Sequence, residues 1–319
     1  MQTGQRYSRA RILTRFGLLA ATLALSIGCT APPGGLPWRA KPDPNGVTFE
    51  DAGRQLLRYR YGDVPFKPYI ESLRTHAGVN VLLDAPPDHL HHHGLMYAVN
   101  VDGVEFWGEP SGAGRQAPRY LQLLSPAAVG GLYRTGLIQT LQWLGPEGKG
   151  IMLQEKRIIE AWRSTDLDAS LISWQSELHT PPGKPSVELT GRNYFGLGMR
   201  FVRSMDNNGQ FFNANGGLDV AGTNDVSSRW CAYAAQADAV PVTVAIFDHP
   251  ANPRPARWFT MDKPFAYLSA TPDLHHKNLT LDKKNPLRFR FGVALWDGLA
   301  DAKQIESLYR RWIRLPAAP

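Results

Sequence analysis

The stretch Leu287-Arg-Phe-Arg-Phe-Gly-Val-Ala-Leu-Trp296 decides the fold of this chain. Leu287, Phe289, Phe291, Val293 and Leu295 recur at every second position, and a period of two puts them on one face of an extended strand while the residues between them point away. The same texture continues outward. Residues 54–62, 78–83, 95–101, 104–107, 137–144, 150–159, 170–178 and 242–247 are short runs rich in β-branched and aromatic side chains, bounded by turn residues, and each reads as a strand. Asp102-Gly103, between Val101 and Val104, suits a two-residue primed hairpin turn. One helix is expected, near the end. Asp301 caps it with Gln304 three residues on, and Ile305, Leu308, Tyr309 and Trp312 form an apolar stripe that docks on a sheet. Tandem strands with few helical patterns predict an all-β fold, a large antiparallel β-sandwich with a short C-terminal helix.

The first residues belong to another kind of segment. Residues 1–28 carry Arg6, Arg9, Arg11 and Arg15 without an acid, then an apolar run from Phe16 to Ile27, then Gly28 and Cys29. That order is the layout of a secretory signal peptide, and the apolar run is about half of what a bilayer span needs. Ser26-Ile-Gly-Cys29 resembles a bacterial lipobox, with Ser26 where leucine is usual. The expectation is therefore an exported protein of the periplasm or outer membrane, held to the membrane by a lipid anchor on Cys29. Residues 29–46 read as a proline- and glycine-rich tether, and 47–319 as a single domain. The net charge is +7. Without the four signal arginines it falls to 31 basic against 28 acidic residues, scattered rather than clustered, which argues against a nucleic-acid partner. With Cys29 lipidated, Cys231 is left alone, so core burial rather than a disulfide must supply the stability.

Four of the nine histidines lie in Pro86-Pro-Asp-His-Leu-His-His-His-Gly94. Imidazole is suited to proton transfer near neutral pH and to metal ligation. In an extended segment His89, His91 and His93 would share a face, about 6–7 Å apart, with His92 opposite. Such a face serves a bound ligand. It equally serves a divalent metal on His89, His91 and His93 with a distant carboxylate, and some of these rings can instead bond backbone carbonyls in the turn. No other cofactor is predicted. Asp248 and His249 emerge where the run ending at Phe247 stops; Asp248 suits a base or an Asx turn before Pro250. Glu155 is a candidate base or a cross-strand ion pair. Arg74 and Arg200 stand in short polar breaks, as a cation holding a substrate oxygen or a surface salt bridge would. Trp107, Tyr194 and Trp230 suit either sugar platforms or the core.

Pro68-Tyr-Ile-Glu-Ser-Leu-Arg-Thr75, the histidine run, Val104-Glu-Phe-Trp-Gly-Glu109, Gly196-Leu-Gly-Met-Arg-Phe201, Trp230-Cys-Ala-Tyr233 and Ile246-Phe-Asp-His-Pro-Ala-Asn-Pro-Arg254 appear in this order. In that order they resemble the bacterial family catalogued as methane oxygenase PmoA-like. His89, His91, His92 and Gly94 fall on its histidine motif, with Leu90 where proline is usual, and Asp248 and His249 on its Phe-Asp-His-Pro motif. The membrane monooxygenase subunit of that name spans the bilayer, whereas this chain has no apolar run of about twenty residues past its signal. The resemblance implies a galactose-mutarotase-like supersandwich that holds a carbohydrate or small-molecule ligand. In it His91 or His92 would serve as acid and Asp248 or Glu155 as base, with Arg74 on a sugar oxygen and His89, His93, Trp107, Tyr194, Arg200, Trp230 and His249 around the substrate. Three functions stay open: a carbohydrate-active isomerase, lyase or hydrolase; a glycan-binding lipoprotein without turnover; and a His-ligated metal enzyme.

Overall fold

The computed structural model describes residues 38–317. The expected signal peptide, Cys29 and the first part of the tether lie outside the described residues. One sheet contains, in spatial order, β1 (Trp38–Asp43), β2 (Gly46–Asp51), β3 (Arg54–Arg60), β4 (Tyr69–Leu73), β5 (Leu95–Ala98), β12 (Gly196–Arg200), β17 (Tyr267–Thr271) and β16 (Arg257–Met261). The second contains β13 (Gln210–Asn213), β14 (Trp230–Ala237), β15 (Val240–Asp248), β19 (Leu287–Asp297), β10 (Ala169–His179), β9 (Ile151–Arg163), β8 (Leu132–Leu144) and β7 (Arg115–Val129). A small third sheet joins β18 (Leu279–Asp282), β11 (Ser186–Thr190) and β6 (Asn100–Val101). Two α-helices complete the described residues, α1 (Asp219–Thr223) and α2 (Ala302–Trp312). Paired strands run antiparallel. None of the described helices is long and apolar enough to cross a membrane.

The two large sheets close on one apolar core, in which Leu57, Tyr59 and Met199 meet Trp143, Ile159, Trp174 and Val293. The antiparallel sandwich expected from the strand pattern is the fold. In β19, Phe289, Phe291, Val293 and Leu295 face this core. The intervening Ala294 and Trp296 are buried too, because Ile305, Leu308, Tyr309 and Trp312 of α2 cover that side. The helix begins as its sequence requires: Asp301 accepts from the backbone of Lys303 and Gln304, and the Gln304 side chain reciprocates. Gly292 is needed beneath it, since a Cβ there would lie 2.8 Å from the Trp312 ring.

Two expectations change, and the hairpin turn holds. Residues 78–83 and 104–107 make isolated bridges such as Leu82 with Phe201, not strands; Val81, Leu82, Phe106 and Trp107 are buried by packing rather than by a ladder. Strand β1 begins inside the expected tether, where Trp38 is buried and Trp38–Asp43 pairs along its length with β2. The turn at Asp102 and Gly103 has both residues at positive φ (46° and 76°), as a type I′ hairpin requires. Strand β7 ends the second sheet and slips register at Pro118/Tyr120 and again at Leu124/Ala127.

Trp312 is fully buried and its indole N–H donates to Ser173 Oγ (2.8 Å). Trp312→Ala is expected to cost about 3–5 kcal/mol, read as a lower midpoint in urea unfolding with α2 detached from β19.

Candidate functional site

The histidine run does not extend. His89 N donates to Pro86 O and His92 N to His89 O, both at 2.9 Å, so two consecutive turns gather side chains that a strand would separate. The rings of His89, His91 and His92 stand 4.5–5.7 Å apart by centroid. Gly94, at φ 43°, closes the turn against β4, where a Cβ would lie 2.2 Å from Ile70 O.

Opposite the turn stands the β16–β17 hairpin. Phe259, Met261, Phe265 and Tyr267 of that hairpin, with Trp107, Tyr194 and the three imidazoles, line a cavity of about 320 Å³, within the range of small-molecule sites. It lies on the side of the first sheet turned away from the second: Phe201, just after β12, lies against Tyr233 of β14 (5.2 Å between ring centroids), and Gly198 and Arg200 of β12 alternate with it. Gly198 allows the walls to close, since a Cβ there would lie 2.4 Å from the Tyr267 hydroxyl and 2.6 Å from the Trp107 ring. Behind Phe265, Arg200 is buried with its guanidinium 3.6 Å from the ring centroid and 3.3 Å from Asp88 Oδ2. His92 Nδ1, Trp107 Nε1, the Tyr267 hydroxyl and Arg200 Nε and Nη1 are buried without a hydrogen-bond partner among the described residues.

Burial, then the neighbouring His91, His89 and Arg200, holds the His92 pKa down to about 2, so this imidazole is neutral. Burial and the Lys67 charge lower His91 as well. His89 is oriented from outside, with Nδ1 3.0 Å from Asp88 Oδ2.

His93 leaves the group because the turn points it the other way. Its ring stacks on Tyr69 at 4.4 Å, with Nδ1 2.8 Å from Asp84 and Nε2 2.9 Å from Glu109. Burial opposes its charged form, but hydrogen bonds to these two carboxylates outweigh it and raise its pKa. With both nitrogens engaged, His93 is not available to share an ion with His89 and His91, and the metal set expected from an extended run does not form. The two candidate bases are also elsewhere. Glu155 is sealed inside the sandwich, accepting from Arg157, Trp143 and Ser176 at 2.6–2.9 Å. Asp248 ends β15 in the second sheet, where it holds the following loop through Ala256 N (2.9 Å) and Asn252 Nδ2 (2.7 Å), and burial raises its pKa to about 6. His249 packs against Trp312, and Trp230 donates to Glu306 of α2. Arg74 bonds Gly78 O. None of these lines the cavity.

Of the expected residues, His89, His91, His92, Trp107 and Tyr194 come together, with Arg200 behind them. Phe259, Met261, Phe265 and Tyr267 were not anticipated. They lie outside the runs that read as strands, and only the Lys263-Pro264 break between two apolar runs marks their hairpin.

The fold and the cavity together define a large antiparallel β-sandwich with an aromatic, imidazole-lined hollow on the outer side of one sheet. The chain belongs to the family described as "Family of unknown function (DUF6807)", which matches residues 46–310. Among solved structures it is similar to the galactosidase domain of an α-galactosidase–sucrose kinase, with TM-score 0.48 and 8% identity over 82% of this chain and 42% of that one. It is also similar to an α-galactosidase from Lactobacillus brevis (TM-score 0.46, 8% identity, 86% and 42%). A third is an α-galactosidase from Geobacillus stearothermophilus (0.45, 8%, 82% and 41%). The chain spans about two fifths of the length of these structures. No curated protein matches it. None of these comparisons carries the PmoA-like label that the motifs resemble.

The neutral His92 makes a pH prediction. Its pKa is about 2 folded against an ordinary 6.5, so the unfolded chain takes up a proton below pH 6.5 and the folded chain does not. The stability present above that pH is lost as pH falls. Between pH 6.5 and 5, His92→Gln should gain about 1–2 kcal/mol relative to wild type, measured by urea unfolding at both pH values.

Proposed function

We propose that this protein is a carbohydrate-active protein of the cell envelope, whose ligand is a sugar ring seated in the aromatic cavity and whose proton carrier is imidazole. The observation that carries this reading is the set of buried, unpartnered polar groups beside aromatic walls: His92 Nδ1, Trp107 Nε1 and the Tyr267 hydroxyl. Buried polar groups are normally satisfied. A pyranose supplies both things missing here, oxygens for the donors and C–H faces for the rings.

His89 is the acid–base group in this reading. Asp88 at Nδ1 fixes the ring, which directs proton transfer to Nε2. His92, neutral, takes a sugar hydroxyl proton at Nδ1 as a hydrogen-bond acceptor. The galactose-mutarotase-like architecture and the PmoA-like motifs belong to the same proposal. So do export and lipid anchoring through Cys29, which the residue pattern of 1–29 supports.

One feature favours a second reading, glycan binding without turnover: no carboxylate stands among the residues lining the cavity. The purified full chain incubated with a glycan library, with mass detection, separates the two. Under the first reading one sugar is bound and converted. His89→Ala then lowers turnover about 10²–10⁴-fold with binding retained, and Trp107→Phe weakens binding up to about tenfold through the lost N–H. Binding without any product establishes the second reading, and failure of every sugar to bind overturns both.

A further inference from the structure

The geometry points to a second site, for a divalent first-row cation such as zinc, formed by Asp225, His275 and His276. It is independent of the sugar cavity's assignment. Asp225 stands fifty positions before the adjacent His275 and His276 in sequence, and they meet because Asp225 N donates to Trp258 O of β16 (2.7 Å), while Pro272-Asp-Leu-His-His276 follows β17, the partner of β16. One donor atom from each lies within 4.8 Å of the other two. His275 Nε2 is 3.2 Å from Asp225 Oδ1, and His276 Nε2 is 3.8 Å from Oδ2.

The other side of each ring faces Asp273. His276 Nδ1 lies 2.7 Å from Asp273 Oδ1 and His275 Nδ1 3.8 Å from it. On His276 the carboxylate at Nδ1 holds the proton there and leaves the Nε2 lone pair for an ion, the order found in carboxylate–histidine–metal arrangements, whereas His275 Nδ1 is buried without a hydrogen-bond partner among the described residues. Two imidazole nitrogens and one carboxylate oxygen are a zinc-type donor set with room for water in the fourth position, and the Asp225 and His276 side chains reach solvent (46% and 49% exposed). Arg257 is the opposing cation. It donates to the Asp225 backbone carbonyl and lies 3.3 Å from Asp273 and 3.4 Å from Asp225 Oδ1. Arg254 adds a second cation behind Asp273, donating to its backbone carbonyl (3.3 Å), so the two imidazole lone pairs and one Asp225 oxygen, not an excess of negative charge, are what hold the ion.

The purified full chain, stripped by a chelator and dialysed, is titrated with Co²⁺ and then Zn²⁺. One equivalent of Co²⁺ should bind with the visible bands of a tetrahedral site, Zn²⁺ should displace it, and Zn²⁺ should raise Tm. The double variant His275→Ala/His276→Ala should lose the bands and the Zn²⁺-dependent Tm rise while keeping the wild-type circular dichroism. Asp273→Asn, which acts through the His276 ring, should bind one equivalent about 10–100-fold more weakly. Absence of saturable binding in the wild type overturns the proposal. So does binding that survives in the double variant, or that is lost instead in His89→Ala/His91→Ala.

Discussion

A guanidinium sealed between the two sheets constrains the rest of the molecule. Arg157 has a side chain with no solvent exposure, and such a charge is tolerated only when its donors are met. Glu155 accepts two of its hydrogen bonds and Gln116 another, all within the second sheet. Nη1 crosses the core to the Tyr59 hydroxyl of β3 (3.3 Å) and to Pro68 O (2.9 Å), next to the start of β4. Sliding one sheet over the other would strand this charge, so it fixes their relative register. Glu155, which the sequence offers as either a base or an ion-pair partner, is its counterion.

The register reaches the cavity through β4. Gly94 closes the histidine turn against Ile70 of that strand, and His93 is clamped beside it between Asp84 and Glu109. Ala85 N donates to His92 O and Gly94 N to Leu83 O, so both ends of the turn are tied down. His93 thus serves as the anchor, and its three neighbours in the turn are held facing the aromatic hairpin with little freedom to reorient.

Strand identity was legible in the longer runs whose burial alternates or is continuous, as in β19, β10 and β15, because one physical cause, packing between sheets, writes both patterns; the shorter but equally buried β4, β12 and β17, and the exposed β7, fell outside the runs read as strands. It was not legible in β1, whose proline and charges mask a ladder that only pairing with β2 reveals. The histidine run was visible as a site but misread in shape. Composition says which rings are near one another along the chain, whereas two backbone hydrogen bonds, at His89 and His92, decide which way they turn. Asp248 was drawn in by its position at a strand end, and that position proved to belong to the wrong sheet. Phe259, Met261, Phe265 and Tyr267 carried no local signal beyond the Lys263-Pro264 break. Their role comes from a hairpin folding over a segment more than 160 residues earlier, a relation absent from any window of sequence.

Strand β7 leaves a long rim at the end of the second sheet. Its two register slips fall beside Pro118 and Pro126, which lack backbone N–H groups. A newcomer strand laid along this rim would meet gaps and kinks in place of a continuous row of donors and acceptors. With Gln116 N already donating to Phe66 O, a strand can stand at the end of an eight-stranded sheet and still offer a second copy a poor template for pairing.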